Sequence, residues 1–545
     1  MTVLALTTAL IAAVNLHTKA LPKIEERTPP AGGPVKLVEN GKLRFAIVGD
    51  LRKLKYRSSP YYAGQILKEA FLNTVGEEPE YLDAEKDRAK WEKLPAIVLV
   101  GDSVAAREFG FDADRLPDQG FQVSTFGKGV AIIGNETIKV GREPPKGERD
   151  SRTPPNAVCY GAVDFCERIL DCRYYFPGEY GFCFPKITDL TVDPVAYASA
   201  PYFNTRGNPY AFYCEMRTPE QKEKWAEYMG KAPSGVDIKT RWRLGMTMEL
   251  LGKHAPDPRG LYEAYPEQRK QIFYTSPNGR FWCDPKNYFA NYYDVFHLGK
   301  GSFADILIEG WKEYYASGRK TNRGGVGSLA GQEWINFGVT DVYMNPEDCI
   351  ADPIVKGEKL ITDEDFKRAA EVDGRAVMAN VYGRFYSYLC ERIAKELPDK
   401  KLFILAYYNC KYAPTRYKLP ANFDAIVCDG SLLSFVMDPR ARMKSRALFK
   451  SWYDAMGGRA PSMAYLYACG DPFGVGITPE YIGESVKMLG PYLGKTGIFF
   501  DGTRNWHHFY GWYIGAHQQW DPDFDAVAAF DDMADRIFGK AAGTM

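Results

Sequence analysis

Hydrophobic positions along the chain follow two regimes. In the first third they form short unbroken runs: Phe45-Ala46-Ile47-Val48 before Gly49-Asp50, Ile97-Val98-Leu99-Val100 before Gly101-Asp102, and Val130-Ala131-Ile132-Ile133 before Gly134-Asn135. Runs this short, each stopped by a turn, predict buried strands. Between the first two, Ile66, Leu67, Ala70 and Phe71 fall at helical spacing, and a second helix is predicted from Gly161 to Leu170. Alternation of strand and helix predicts a small α/β domain over residues 36–196. Asp193-Pro194 and Ala200-Pro201 interrupt regular structure and mark its boundary.

From residue 201 to 545 the pattern changes. Long amphipathic helices alternate with strand-like segments, as where Val377, Val381, Phe385, Leu389 and Ile393 step by four directly before Phe403-Ile404-Leu405-Ala406. Repeated βα units over this length predict a (β/α)8 TIM-type barrel with insertions, so the expected class is α/β: a small N-terminal domain, then a barrel. No run of 18 apolar residues occurs, and no membrane-spanning segment is expected. Val3 to Val14 has the length of a leader's apolar region, and Thr18-Lys19-Ala20 offers a cleavage site. Residues 1–20 therefore read as a signal peptide, although the first basic residue is Lys19, and the expected location is secreted or periplasmic. A buried N-terminal element is the alternative.

Charge narrows the partners. The chain has 69 Lys+Arg against 69 Asp+Glu, which leaves no electrostatic footprint for nucleic acid or an anionic membrane. Aromatic residues make up 14%, with 36 Tyr, which suits clefts that stack on sugars as well as it suits large cores. The 11 Cys show no C-x-x-C spacing, so neither zinc nor a thioredoxin-type site is supported. Cys159, Cys166, Cys172 and Cys183 read as lone thiols, with a disulfide as the alternative in an exported protein. No G-x-G-x-x-G follows any strand, Gly325 to Ala330 reads as a loop, and no G-x-S-x-G elbow occurs. No cofactor and no metal is implied.

In a barrel the active site lies at the C-terminal ends of the strands. Several predicted ends here are acidic. Val342-Tyr343-Met344 runs into Asn345-Pro346-Glu347-Asp348, Ala425-Ile426-Val427-Cys428 ends at Asp429, Met463 to Tyr467 leads to Asp471, and Ile498-Phe499-Phe500 ends at Asp501. Convergent carboxylates without metal-ligand spacing fit glycoside hydrolysis, in which one carboxyl protonates the leaving oxygen while another charge steadies the cationic centre. The competing role for each is to cap the next helix. The segment Asn505 to Trp520 reads mainly as a helix docked on the barrel, and adjacent His507-His508 cannot both face one metal from a regular helix.

Motifs spread along the chain carry a resemblance. Leu116-Pro117-Asp118-Gln119-Gly120-Phe121, Tyr160 to Arg168, and Cys172-Arg173-Tyr174-Tyr175-Phe176-Pro177-Gly178 resemble the N-terminal α/β domain of glycoside hydrolase family 20 hexosaminidases and of α-glucuronidases. Downstream, Leu261 to Glu267, Asn278-Gly279-Arg280, Leu405-Ala406-Tyr407-Tyr408, Gly497 to Gly502 and Trp520 to Asp523 resemble the bacterial domain of unknown function 4838, part of which is glycoside hydrolase family 163. The likeness spans about residues 40 to 545.

The resemblance implies a secreted enzyme acting on a glycan, and for the characterised branch an endo-β-N-acetylglucosaminidase that retains configuration. Similarity to family 20 implies substrate assistance by the sugar's 2-acetamido oxygen. Glu347 would then be the general acid and Asp348 the carboxylate that steadies the acetamido group, in the reverse of family 20's Asp-Glu order. Arg206, Asn345, Tyr408, Asp429 and Asp501 are the candidate substrate contacts. The alternatives are an α-glucuronidase-like hydrolase, with Arg206 or Arg504 meeting the uronate, and a sugar-binding protein without turnover.

Overall fold

The computed structural model describes residues 16–50, 59–136, 157–176, 180–203, 206, 218–220, 223–224, 238–244, 256–275, 296–299, 301–331, 333–338, 346–352, 354–429, 438–467, 479–494, 497–501 and 509–539. The chain is a mixed α/β protein that groups into two compact units, residues 1–246 with 471–487 and 502–545, and residues 247–470 with 488–501.

In the first unit the strands are β1 (Glu25–Glu26), β2 (Val35–Glu39), β3 (Lys42–Leu43), β4 (Phe45–Gly49), β5 (Tyr81–Asp83), β6 (Ala96–Val100), β7 (Phe121–Phe126), β8 (Gly129–Gly134), β9 (Arg173–Tyr174), β10 (Phe182–Cys183), β11 (Leu190–Val192) and β12 (Ala196–Ser199). Seven form one sheet in the order β1-β12-β7-β8-β6-β4-β5. The three apolar runs are its parallel centre, β4, β6 and β8. Strand alternation gives each run two jobs. Phe45, Ile47, Val98, Val100, Val130 and Ile132 share a core with the helices Ser59–Val75 and Ala157–Arg168. Ala46, Val48, Ile97, Leu99, Ala131 and Ile133 pack the other face against Trp91, Phe111 and Leu116. Gly129 is fixed by this close packing, since a Cβ there would run into the Ile97 carbonyl oxygen.

The helices Phe509–Trp520 and Ala526–Phe538 join the same core through Tyr513, Ile514, Trp520 and Met533, with Phe524 of the link between them. The described part of the segment read as a barrel helix thus belongs to the first unit, where Trp520 meets Tyr160 of helix Ala157–Arg168 edge-on with ring centroids 5.3 Å apart. Ala20 and Leu21 are also buried, and the buried Arg168 guanidinium donates to Leu16 O and Pro22 O. Cys159, Cys166, Cys172 and Cys183 are free thiols rather than a disulfide pair.

The second unit holds a five-stranded parallel sheet: β13 (Trp334–Asn336), β14 (Lys401–Ala406), β15 (Phe423–Asp429), β16 (Met463–Tyr467) and β17 (Ile498–Asp501). The strands lie side by side in chain order. The predicted amphipathic helix is Ala379–Glu396, with Val381, Phe385, Leu389 and Ile393 buried. Helix Pro439–Ala455 links β15 to β16, and its Trp452 stacks on Phe423 with ring centroids 6.2 Å apart. Among the described residues no helix is long and apolar enough to cross a membrane.

Candidate functional site

The C-terminal ends of β14 and β15 gather charged and aromatic side chains. After Ala406 the chain passes through Tyr407 and Tyr408 into a single turn, Tyr408–Cys410, and on to Lys411 and Tyr412. Lys411 Nζ donates to Asp429 Oδ1 at 2.6 Å, and both side chains are only 12% exposed. The indole of Trp452 holds this loop by donating to Lys411 O at 2.8 Å.

A second pair stands beside the first. Asp373 caps the turn Gly374–Met378 and accepts from Arg375 at both oxygens, from Nε at 2.8 Å and Nη2 at 2.7 Å. Hydrogen bonds from Arg375, reinforced by the nearby Lys411 charge, hold the Asp373 carboxyl down to about 2. Burial, with Asp373 and Asp429 nearby, pushes the Tyr412 phenol up, so it stays a neutral hydrogen-bonding group. Arg375 lies over the Tyr408 ring at 5.9 Å. The cluster is two cations, two carboxylates and two phenols.

Tyr408 has φ of 48°, in the left-handed region that a bulky side chain rarely occupies. Such strain persists only where surrounding structure imposes it, and it concentrates at functional positions. Here the Trp452 contact and the Lys411–Asp429 pair fix the loop on its far side.

Tyr408 and Asp429 are therefore in one neighbourhood, bridged by Lys411. Glu347 stands exposed on the short helix Pro346–Ala351, which also carries Asp348. That helix is anchored by buried polar groups. Cys349 Sγ donates to Tyr274 Oη at 3.1 Å, and Asp352 accepts from Thr275 N at 3.0 Å and Thr275 Oγ1 at 3.1 Å. Asp501 ends β17, paired in register with Tyr467. Asn345, Asp471, Arg504 and the predicted strand Val342 to Met344 lie outside the described residues.

Arg206 belongs to the first unit. Its fully buried guanidinium donates to Arg243 O at 2.8 Å, Phe203 O at 2.6 Å and Gln119 Oε1 at 3.0 Å, and stacks over Trp520 at 5.0 Å. Those bonds serve the fold, which sets Arg206 apart from the other candidates.

Sequence reasoning missed Asp373, Arg375, Lys411 and Tyr412. Two signals were present: Asp373-Gly374-Arg375 opens the predicted amphipathic helix, and Lys411-Tyr412 follows the Tyr407-Tyr408 pair within a turn. Among the described residues no group of His, Cys, Asp and Glu is arranged to hold a metal ion.

No protein-family model and no curated protein matches the chain. Solved structures similar to it are glycoside hydrolases. A Flavobacterium johnsoniae chitobiase is 12% identical, with 96% of this chain and 72% of that one covered at a TM-score of 0.43. A family 20 β-N-acetylhexosaminidase of Streptomyces coelicolor is 9% identical, with 97% and 96% covered at 0.40. A family 115 4-O-methyl-α-glucuronidase with specificity for decorated arabinogalactans is 12% identical, with 94% and 61% covered at 0.43. Scores below 0.5 at such identities do not establish a common fold.

Proposed function

We propose that the protein is a glycoside hydrolase acting on a complex glycan. The observation that carries this reading is the parallel sheet β13–β17 in unbroken chain order, with Asp429 and Asp501 at C-terminal strand ends and a tyrosine-rich, ion-paired cluster beside Asp429. Consecutive parallel strands are the arrangement a (β/α)8 barrel extends, and that is the end at which barrels carry out chemistry. In this reading, which follows the sequence resemblance to family 20 and to domain 4838, residues 36–196 form the accessory domain and the barrel lies within residues 201–545, its described strands β13–β17 all in the second unit while the helices after residue 502 pack into the first. Location outside the cytoplasm is part of the reading; an intact N-terminus on cytoplasmic protein in fractionated native cells would overturn that part.

The chemistry proposed is the retaining, substrate-assisted hydrolysis of a β-N-acetylglucosaminide. The 2-acetamido oxygen attacks the anomeric carbon as Glu347 gives its proton to the departing oxygen, and Asp348 steadies the acetamido N–H. Water then opens the cyclic intermediate, returning a proton to Glu347. Replacing Glu347 with Gln should cut turnover by about 10²-fold or more on glycans with poor leaving groups and by less on activated aryl glycosides, whereas Asp348→Asn should harm both alike. Near wild-type turnover of a natural glycan by Glu347→Gln would refute the assignment.

A uronate substrate is less well supported. It needs a cation to meet the carboxylate, yet Arg206 is committed to protein acceptors, and Arg375 and Lys411 each face a carboxylate of their own. A binding protein without turnover is separated by the same assay.

A further inference from the structure

The first unit contains a concave surface of its own. A groove of about 560 Å³ runs between residues 23–27, 198–202 and 520–523. That volume is in the range of roughly 300–1,000 Å³ typical of small-molecule sites. Hydrogen bonds tie the three segments together. Trp520 Nε1 donates to Ser199 Oγ at 2.8 Å, Ser199 Oγ donates to Lys23 O at 3.1 Å, Tyr202 N donates to Trp520 O at 2.8 Å, and Lys23 N donates to Asp521 Oδ2 at 2.8 Å. The floor is thus preorganised, which lowers the ordering cost of binding.

Two features of the rim indicate what fits. Tyr202 is 47% exposed although Phe203 packs against its ring at 4.8 Å, so an aromatic surface is held in place and open to solvent. Beside it the charges are paired: Lys23 Nζ lies 3.1 Å from Asp523 Oδ2, and Lys487 Nζ lies 3.3 Å from Asp523 Oδ1. Paired charges offer both donors and acceptors and make no demand for an ionic ligand. A ring face next to such pairs matches a molecule with an apolar C–H face and hydroxyl edges. A peptide adding to the sheet is disfavoured, because β1, the edge strand at the groove, is only two residues long.

We infer that this groove is a non-catalytic binding site for a neutral oligosaccharide, with Tyr202 stacking on a sugar ring and Lys23 and Asp523 bonding its hydroxyls. The inference rests on the glycan reading above and deepens it, since a second hold on the chain would favour polymeric over small substrates. The test titrates triacetylchitotriose and cellotriose into the full-length protein and into its Tyr202→Ala and Asp523→Ala variants by calorimetry and saturation-transfer NMR. Hydrolysis of an aryl N-acetylglucosaminide and of a natural glycan is measured on the same samples. At least one trisaccharide should bind, Tyr202→Ala should weaken it tenfold or more, and aryl-glycoside turnover should be unchanged in both variants. If both trisaccharides bind independently of Tyr202 and Asp523, or neither binds, while the glycan is still cleaved, the groove inference fails and the hydrolase reading stands. If nothing is bound or cleaved, both fail.

Discussion

His517 sits where protonation is costly. Its ring is fully buried in the first unit, with Nδ1 2.7 Å from Tyr513 O and Nε2 3.1 Å from Arg243 Nη1. Because a guanidinium can only donate, Nε2 must accept, so the proton is on Nδ1 and is donated to Tyr513 O. A second proton would put two cations face to face away from water. Burial first, and the Arg243 charge second, hold the imidazole down to about 3, from an ordinary 6.5. For a base with a lowered native pKa the unfolded chain binds the extra proton between these values. Stability is therefore complete above about pH 6.5 and lost as pH falls towards 3, by roughly 5 kcal/mol in all and about 2 kcal/mol by pH 5.

Glu136 acts in the opposite direction. Burial raises its carboxyl to about 7 from an ordinary 4.5, with Val158 N donating to it at 2.9 Å. Its contribution is complete below about pH 4.5 and lost as pH rises to 7. Between pH 4.5 and 6.5 the two oppose each other, and a variant isolates either one. We therefore expect His517→Gln, whose amide can still accept from Arg243, to gain about 2 kcal/mol relative to wild type between pH 7 and pH 5. With two compact units, one global transition is not assured. The readout is amide hydrogen exchange in helices Ala157–Arg168 and Phe509–Trp520, converted to opening free energies. A relative stability that stays constant within about 0.5 kcal/mol across that range, or an imidazole titrating above pH 5.5 by NMR, would refute the reasoning.

Glu136→Gln should show the mirror image, gaining on wild type by up to about 3 kcal/mol between pH 4.5 and 7, less what the half-buried residue's contact with water removes; the same exchange measurement checks it. Tyr408→Gly should leave stability within about 1 kcal/mol, because relief of the left-handed backbone offsets lost ring contacts, yet lower kcat/KM tenfold or more if the ring meets substrate. A Tyr408→Gly enzyme of full activity would remove that residue from the site.

The parallel centre of the first unit was legible because β4, β6 and β8 are apolar on both faces, a signal local to each strand. Helix Ala379–Glu396 was legible for the same reason, its four-residue step lying within one element. What escaped is tertiary. Nothing near Arg206 announces that Gln119, Phe203 and Arg243 would take up its donors, and at the sequence level a buried arginine looks the same as one that binds substrate. The C-terminal helices escaped similarly: Tyr513 and Trp520 give an apolar stripe its direction but do not name its partner. Lys411 and Arg375 were invisible because a strand-end search for carboxylates leaves out the cations that hold those carboxylates.

Strand parity adds a further distinction among the acidic strand ends. Along β15, Ile426 and Cys428 share a cluster with Phe403 of β14 and Met463 of β16, joined by the half-buried Leu405, Tyr407 and Tyr465, so alternate residues of these strands form one face of the sheet. Asp429 follows Cys428 and so stands on the other face, where Lys411 meets it. The register pairs Asp429 with Leu466 and Asp501 with Tyr467, neighbouring positions of opposite parity. Carboxylates at the ends of strands in one sheet therefore need not converge, because one residue of register separates the two faces. Asp429 is an ion-paired support for the Tyr408 loop. Should Glu347→Gln retain its activity, Asp501 rather than Asp429 is the carboxylate to replace next.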